Sequence, residues 1–200
     1  MKKLLASLLA LLLILSLCAC TKNEDNQSED TSASTSETTE TSATADTTSK
    51  TEQQKPVIPA EYQLYDNGAI SFYYPSAWNV TDGSITILSD LTTGNNITVV
   101  FEAKNDYYAT MNTESFNTEM KPMLESMGMS ISEASVKQTQ NETGLSMTVI
   151  AYTSIYLGAE MTQTQYIVNV DDLTYSVTVT EMVPDAVLVE TVFNTLNIAS

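Results

Sequence analysis

Two cysteines separated by one residue, one adjacent pair of aspartates and a set of tyrosines carry most of the chemistry available to this 200-residue chain, which has no histidine and whose eight basic residues are all lysines. Cys18 and Cys20 are its only thiols. Cysteines this close rarely meet disulfide geometry, whereas a cysteine left at a new N-terminus by cleavage can be acylated and hold the chain to a lipid. Beyond Cys20 there is then no disulfide, no thiolate nucleophile and no cysteine-ligated metal. Without histidine or arginine the usual base near neutral pH and the planar anion clamp are missing too, and serine triads and the common zinc sites go with them. Carboxylates alone can still do acid/base work, as in glycoside hydrolysis. Asp171-Asp172 is the one adjacent acid pair of the folded region, but "VDDLT" is itself good turn chemistry and neighbours in a turn point apart. No Asp-x-Asp-x-Asp-Gly calcium loop is present, and acids scattered along strands read as a solvated face. The expectation is a chain that is not an enzyme and that carries no cofactor and no metal.

The cysteines are positioned by what precedes them. Lys2 and Lys3 are followed by an apolar run from Leu4 to Leu17 broken only by Ser7 and Ser16. That is the form of a secretory signal peptide. As a helix the run is about 21 Å long, short of the ~30 Å hydrocarbon core, so residues 1–19 read as a cleaved signal and not as a permanent span.

Leu17-Cys18-Ala19-Cys20 resembles the lipobox of bacterial lipoproteins, with leucine three residues before the cysteine and a small residue just before it. Cys20 fits, while Cys18 would have Leu17 where a small residue is wanted. The resemblance implies cleavage before Cys20, diacylation of its thiol through a thioether, and a cell-membrane location facing the extracytoplasmic side. Several acyl chains at ~0.8 kcal/mol per buried methylene exceed the marginal hold of one.

Residues 20–58 then read as a tether. From Thr21 to Ile58, sixteen of thirty-eight residues are Ser or Thr, with eight acids, three lysines and no aromatic. Such a stretch cannot bury enough apolar surface to offset its chain entropy, and flexible-coil scaling gives it a reach of about 35 Å. Its composition leaves O-linked sugar open.

All fifteen aromatic residues lie between Tyr62 and Phe193, which places one domain at residues 59–200. Three lysines against seventeen acids give it a net charge of −14, a field that repels nucleic acid and anionic lipid headgroups. Its periodicity is mostly two. Ile70, Phe72 and Tyr74 alternate, as do Ile85 and Ile87, then Ile97, Val99 and Phe101, and later Tyr175, Val177 and Val179. Turn signals such as "DNG", "DGS", "TTGNN", "NETG", "YLGAE" and "VDDLT" separate the runs. Two segments have helical spacing instead. In "TESFNTEMKPMLESMG" Thr113 caps, Pro122 kinks or splits, and Gly128 stops the helix. In "DAVLVETVFNTLNIA", Val189, Val192, Phe193 and Leu196 share a face after Pro184 and Asp185. The predicted fold class is α+β, an antiparallel β-sheet flanked by helices.

"GAISFYYPSAWNV" and "YSVTVTE…VETVFNTLNI" resemble the opening strand, the "YP…W" segment, and the last strand and C-terminal helix of PsbP-like domains. The resemblance covers roughly residues 62–198 and implies an α/β/α sandwich. It implies no activity, since that family includes a photosystem subunit, a nuclear Ran-binding relative and many bacterial lipoproteins. The aromatic doublets supply the candidate contact residues: one of Tyr73 and Tyr74 should face outward from its strand, with Trp78 nearby, and the same holds for Tyr107 and Tyr108 if that stretch is extended. Trp78 has a plainer reading as a plug at the end of the core. The cluster Met111, Met120, Met123, Met127 and Met129 reads as helix-to-sheet core. The sequence thus points to a membrane-anchored module that meets another envelope protein, with small-ligand or cation binding between sheet and helix as the alternative.

Overall fold

The computed structural model of the chain describes residues 56–199. The signal segment, Cys18, Cys20 and nearly all of the tether lie outside them. Within the described residues, eight strands form one antiparallel sheet. They are β3 (Asn79–Thr81), β4 (Thr86–Ser89), β5 (Asn96–Ala103), β6 (Ser130–Ile131), β7 (Ser135–Gln140), β8 (Ser146–Tyr156), β9 (Ala159–Val170) and β10 (Leu173–Glu181). Their order is β3-β4-β5-β10-β9-β8, and β6 and β7 share the outer edge of β8. A second sheet joins β1 (Tyr62–Asp66), β2 (Ile70–Pro75) and β11 (Asn197–Ile198).

Successive side chains of a strand point to opposite faces, and the two faces of the main sheet carry separate cores. Leu88, Ile97, Val99, Tyr166, Val177 and Val179 face one side and pack with Phe72 of β2 and with Leu188 and Val192 of the C-terminal helix α4 (Ala186–Thr195). Ile150, Tyr152, Met161 and Ile167 face the other and pack with Met111, Phe116, Met120 and Leu124. Those last four belong to, or lie beside, the short helices α1 (Tyr107–Thr110), α2 (Thr113–Ser115) and α3 (Lys121–Ser126), the latter two joined by one π-helical turn at Phe116–Met120. The antiparallel sheet flanked by helices is therefore the expected class.

The local signals act largely as their chemistry dictates. Pro122 stands at the start of α3, where its missing N–H costs nothing, and so the segment is two short helices joined by the wider turn. Gly128, at φ +88°, ends it. The cap is Asn112, one residue before the predicted Thr113: its side chain accepts from Ser115 N at 3.0 Å while Ser115 Oγ accepts from Asn112 N at 3.0 Å. Thr113 Oγ1 instead accepts from Val136 N of β7 at 3.1 Å.

Two pattern readings need correction. Ile85 and Ile87 were expected to define a buried face, yet β4 buries Leu88 completely and leaves Ile87 half-buried on the opposite side. Phe101 continues the Ile97, Val99 row but is 57% exposed, because the row runs out past the covered part of the sheet and ends against Tyr175 at a ring separation of 5.7 Å.

The corner between β10 and α4 is held by Asn95, 3% exposed, whose Oδ1 accepts from Met182 N and Val183 N at 2.8 and 3.0 Å and whose Nδ2 donates to Val183 O at 2.8 Å. Asn95→Ala leaves three partly buried backbone groups without their side-chain partner. It should destabilise the domain by roughly 2 kcal/mol, read as a lowered urea midpoint at unchanged slope.

Candidate functional site

The four aromatic candidates fall into three different environments. Tyr73 is half-buried on the outer face of β2, opposite the 51% exposed Leu64 of β1, with its backbone N–H donated to Thr195 Oγ1 at 3.0 Å. Trp78 is partly buried against the main core, where it closes the end below β2. The stretch of Tyr107 and Tyr108 is not extended: they occupy one helical turn, and Tyr108 is only 7% exposed within the second core. Tyr108 is therefore no surface contact. Tyr107 remains at the surface, its hydroxyl donating to Glu119 Oε2 at 2.9 Å. Partial burial, with the nearby Glu119 carboxylate, raises its pKa. The structure brings Tyr107 and Tyr108 together, rings 6.3 Å apart, and shows no joint site with Tyr73 and Trp78.

Asp171 and Asp172 form the two-residue loop between β9 and β10, with Asp171 at φ +52°. Asp tolerates that left-handed conformation better than most residues, and both side chains are exposed, as a turn reading requires. Among the described residues no group of three acidic side chains converges as a metal site would need.

The concave feature with ligand-sized dimensions lies elsewhere, between α4 and the outer half of the sheet. It is an open groove of ≈ 650 Å³, within the range of small-ligand clefts. Register explains its floor. Lys137 of β7 lies opposite Val149 of β8, which lies opposite Tyr166 of β9, so the three side chains form one row across the sheet. Helix α4 covers the inner part of that face and leaves the row open toward β7. Val189 and Glu190 form the helical bank, Lys137 and Thr139 the strand bank, and Glu181 and Pro184 close one end. Tyr166 is 1% exposed, donates its hydroxyl to Val189 O at 2.8 Å and packs its ring 5.9 Å from Phe193. Burial, helped by the Glu181 carboxylate, pushes the Tyr166 pKa far above the usual phenol range. The groove therefore has an apolar floor, one cationic bank and two carboxylates.

Sequence reading allowed a pocket between sheet and helix but named none of this groove's residues, because they come from β7, β8, β9, β10 and α4, more than fifty positions from first to last. The one local trace is that Val189 and Phe193 share a helix face with Val192 yet are only partly buried, so that face is wider than its contact with the sheet.

No family model matches the chain, and no curated protein matches it. Solved structures do. Cyanobacterial PsbP (CyanoP) from Synechocystis aligns with a TM-score of 0.52 at 13% identity, covering 71% of this chain and 95% of that one. The fold is thus PsbP-like. LpqN, described as involved in cell envelope biogenesis of Mycobacterium tuberculosis, aligns at 0.41 and 13% identity over 70% of this chain and 91% of that one. A Bacteroides thetaiotaomicron protein aligns at 0.46 and 14% identity over 70% of this chain, which spans about half of that protein's length (48%). No helix of the described residues is long and apolar enough to cross a membrane.

Proposed function

We propose that this chain is a non-catalytic binding module of the cell envelope, carried on a lipid at Cys20, spaced from the membrane by the Ser/Thr-rich tether, and engaging another envelope protein through the groove beside α4. The observation that carries the reading is the groove itself: apolar in its floor, charged on both banks and open along its length. Open apolar clefts with a charged rim suit an inserted segment of a partner. The lipobox-like Leu17-Cys18-Ala19-Cys20 and the tether supply the location.

The test is crosslinking in living cells of the full-length protein, its Cys20→Ala form and a Lys137→Glu/Glu190→Lys double variant, both of whose altered side chains are exposed. The expected result is one dominant captured protein with the wild type, at least tenfold less with either variant, and Cys20→Ala absent from the lipid-labelled fraction. Capture indifferent to both changes would remove the proposal.

A second reading is favoured by the groove's size: a small amphipathic ligand bound on Tyr166 and Phe193. A ligand that stabilises the native state raises the melting temperature with concentration, so a thermal-shift screen of the purified domain decides between the two.

A further inference from the structure

One end of the main sheet differs from the rest of the surface. There the β4–β5 turn, the β8–β9 turn and the segment after β10 come together, as the Asn95 bonds to Met182 and Val183 and the pairing of Glu181 with Thr162 establish. Strands β8 and β9 run on past that pairing, so their turn projects as a finger. The four exposed aliphatic side chains of this end are Leu91 (73%), Ile155 (43%), Leu157 (83%) and Val183 (50%). Strand spacing puts the two turns about 14 Å apart. The opposite end carries Asp171 and Asp172 in the β9–β10 turn, and the exposed Phe101 ring there rests against Tyr175.

Leu157 is the unusual member. It and Gly158 form the two-residue turn, both with positive φ (51° and 83°), the conformation that Asn-Gly adopts most readily. A leucine there strains the backbone and gains no packing. Strain maintained at an exposed apolar residue points to function outside the fold. The charges around it have one sign: Asp90, Glu160, Glu181 and Asp185 lie on or beside these segments, and none of the three lysines among the described residues does.

We infer that this end is a docking surface for a partner protein, with Leu157 inserted as an anchor into an apolar socket whose rim carries lysine or arginine. Apolar anchors encircled by complementary charge are how interfaces concentrate their affinity. A bilayer is the poorer occupant, because the acidic rim is repelled by anionic headgroups and no cation offsets it. The inference rests on the reading of the domain as a protein-binding module, and not on the groove being the point of contact.

The experiment places a photo-crosslinking amino acid at Leu157, and separately at Asn67 on the opposite end, in the full-length anchored protein in cells. The protein captured from position 157 is then purified and its binding to the wild type and to Leu157→Asn measured at low and high salt. Expected are a protein adduct from position 157 and none from 67, an affinity that falls at least tenfold in Leu157→Asn and also falls with salt, and a melting temperature for that variant equal to or ~2 °C above wild type. Lipid adducts, no adduct from a folded chain, or unchanged affinity in Leu157→Asn would overturn the inference. The Lys137→Glu/Glu190→Lys variant separates the two surfaces: loss there with full binding by Leu157→Asn supports the groove and removes the fingertip.

Discussion

Asn141→Ala is expected to cost the domain about 3 kcal/mol and to lower its melting temperature by roughly 10 °C. The residue is 7% exposed in the turn between β7 and β8 and works in two directions. Its Nδ2 donates to Phe193 O at 2.8 Å and Leu196 O at 2.6 Å, two of the carbonyls that a helix C-terminus leaves without intrahelical partners. Its Oδ1 accepts from Thr143 N, Leu145 N and Thr143 Oγ1 at 3.1, 3.0 and 2.7 Å and so shapes its own turn. Helix α4 has no basic residue in its last turn to do this instead. Alanine strands Phe193 O and the turn's N–H groups, leaving Leu196 O only the Thr143 hydroxyl at 3.1 Å. Asn141→Asp is the sharper comparison, since it keeps every acceptor but sets a carboxylate against two carbonyls at the negative end of the helix dipole. At pH 7 it should be no better than alanine, and it should regain part of the loss once acid protonates it. Melting curves of the three proteins at pH 7 and pH 4 decide the matter. An aspartate variant as stable as wild type at pH 7 would show that the carbonyls find water.

What makes Asn141 so important is invisible locally. "NETG" reads as a turn, and it is one, but nothing in those four residues says that a helix fifty positions later ends against the first of them. The same boundary runs through the rest of the molecule. Alternation placed Ile70, Phe72 and Tyr74, and Tyr175, Val177 and Val179, because each of those strands has a neighbour on both sides and sets its apolar residues on one face; β10 buries the threonines between them on the other. All six are buried. It failed at Ile85 and Ile87, where a short strand near the sheet's edge follows its partner's register: Leu88 pairs with Ile97, and that pairing decides which side is core. Tyr107 and Tyr108 left strand and helix open, since two aromatics together suit a strand by propensity while the preceding Asn105 and Asp106 start a helical turn. Asn105 Oδ1 accepts from Tyr107 N at 3.2 Å. Helix α4 was legible in its start and cap, Asp185 Oδ1 accepting from Leu188 N at 3.0 Å, while its end at Thr195 and the strand Asn197–Ile198 were not. Its buried stripe, however, centres on Leu188 and Val192 and leaves Val189 and Phe193 toward the groove. The groove was therefore present in the sequence only as an excess of apolar helix surface.

The acidic composition shapes how any partner must approach. With −17 on the chain and a single ion pair among the described residues, Lys121 to Glu125 at 4.0 Å, the carboxylates are held mostly by solvent and by hydrogen bonds. Asp90 is the clearest instance: it accepts from Thr92 N, Thr92 Oγ1 and Thr93 Oγ1 at 2.8, 2.6 and 2.8 Å, and those bonds hold its pKa below the usual carboxylate value. That stabilisation is present above the unfolded pKa and fades as pH falls through the folded one. Association with a basic partner should accordingly be fast and salt-sensitive, with affinity set by the few apolar groups that are exposed.

At the other end of the pH scale the domain should lose about 3 kcal/mol between pH 10 and pH 11.5, and two tyrosines account for most of it. Tyr152 is 4% exposed in the helix-side core, its ring 5.6 Å from that of Phe116, and Tyr166 is 1% exposed in the groove floor. Burial pushes both far above the ordinary phenol range, and for Tyr166 the Glu181 carboxylate adds to it. In the unfolded chain a tyrosine titrates near 10. Above that pH the unfolded state has released protons that the native state still holds, so stability falls as pH rises, by up to about 1.4 kcal/mol per unit for each residue. Tyr62, raised to about 12 by partial burial and by Asp185 and Glu61, acts in the same direction, and solvent screening makes its share smaller. Urea midpoints measured from pH 8 to pH 11.5 should trace this decline, and Tyr152→Phe should nearly halve its slope while leaving stability at pH 7 close to wild type. An unchanged slope in that variant would mean that the chain opens locally and lets the phenol ionise before global unfolding. The same energetics fix the character of the groove at neutral pH: Tyr166 stays a neutral donor to Val189 O, so the charge a partner meets there comes from Lys137, Glu181 and Glu190 alone.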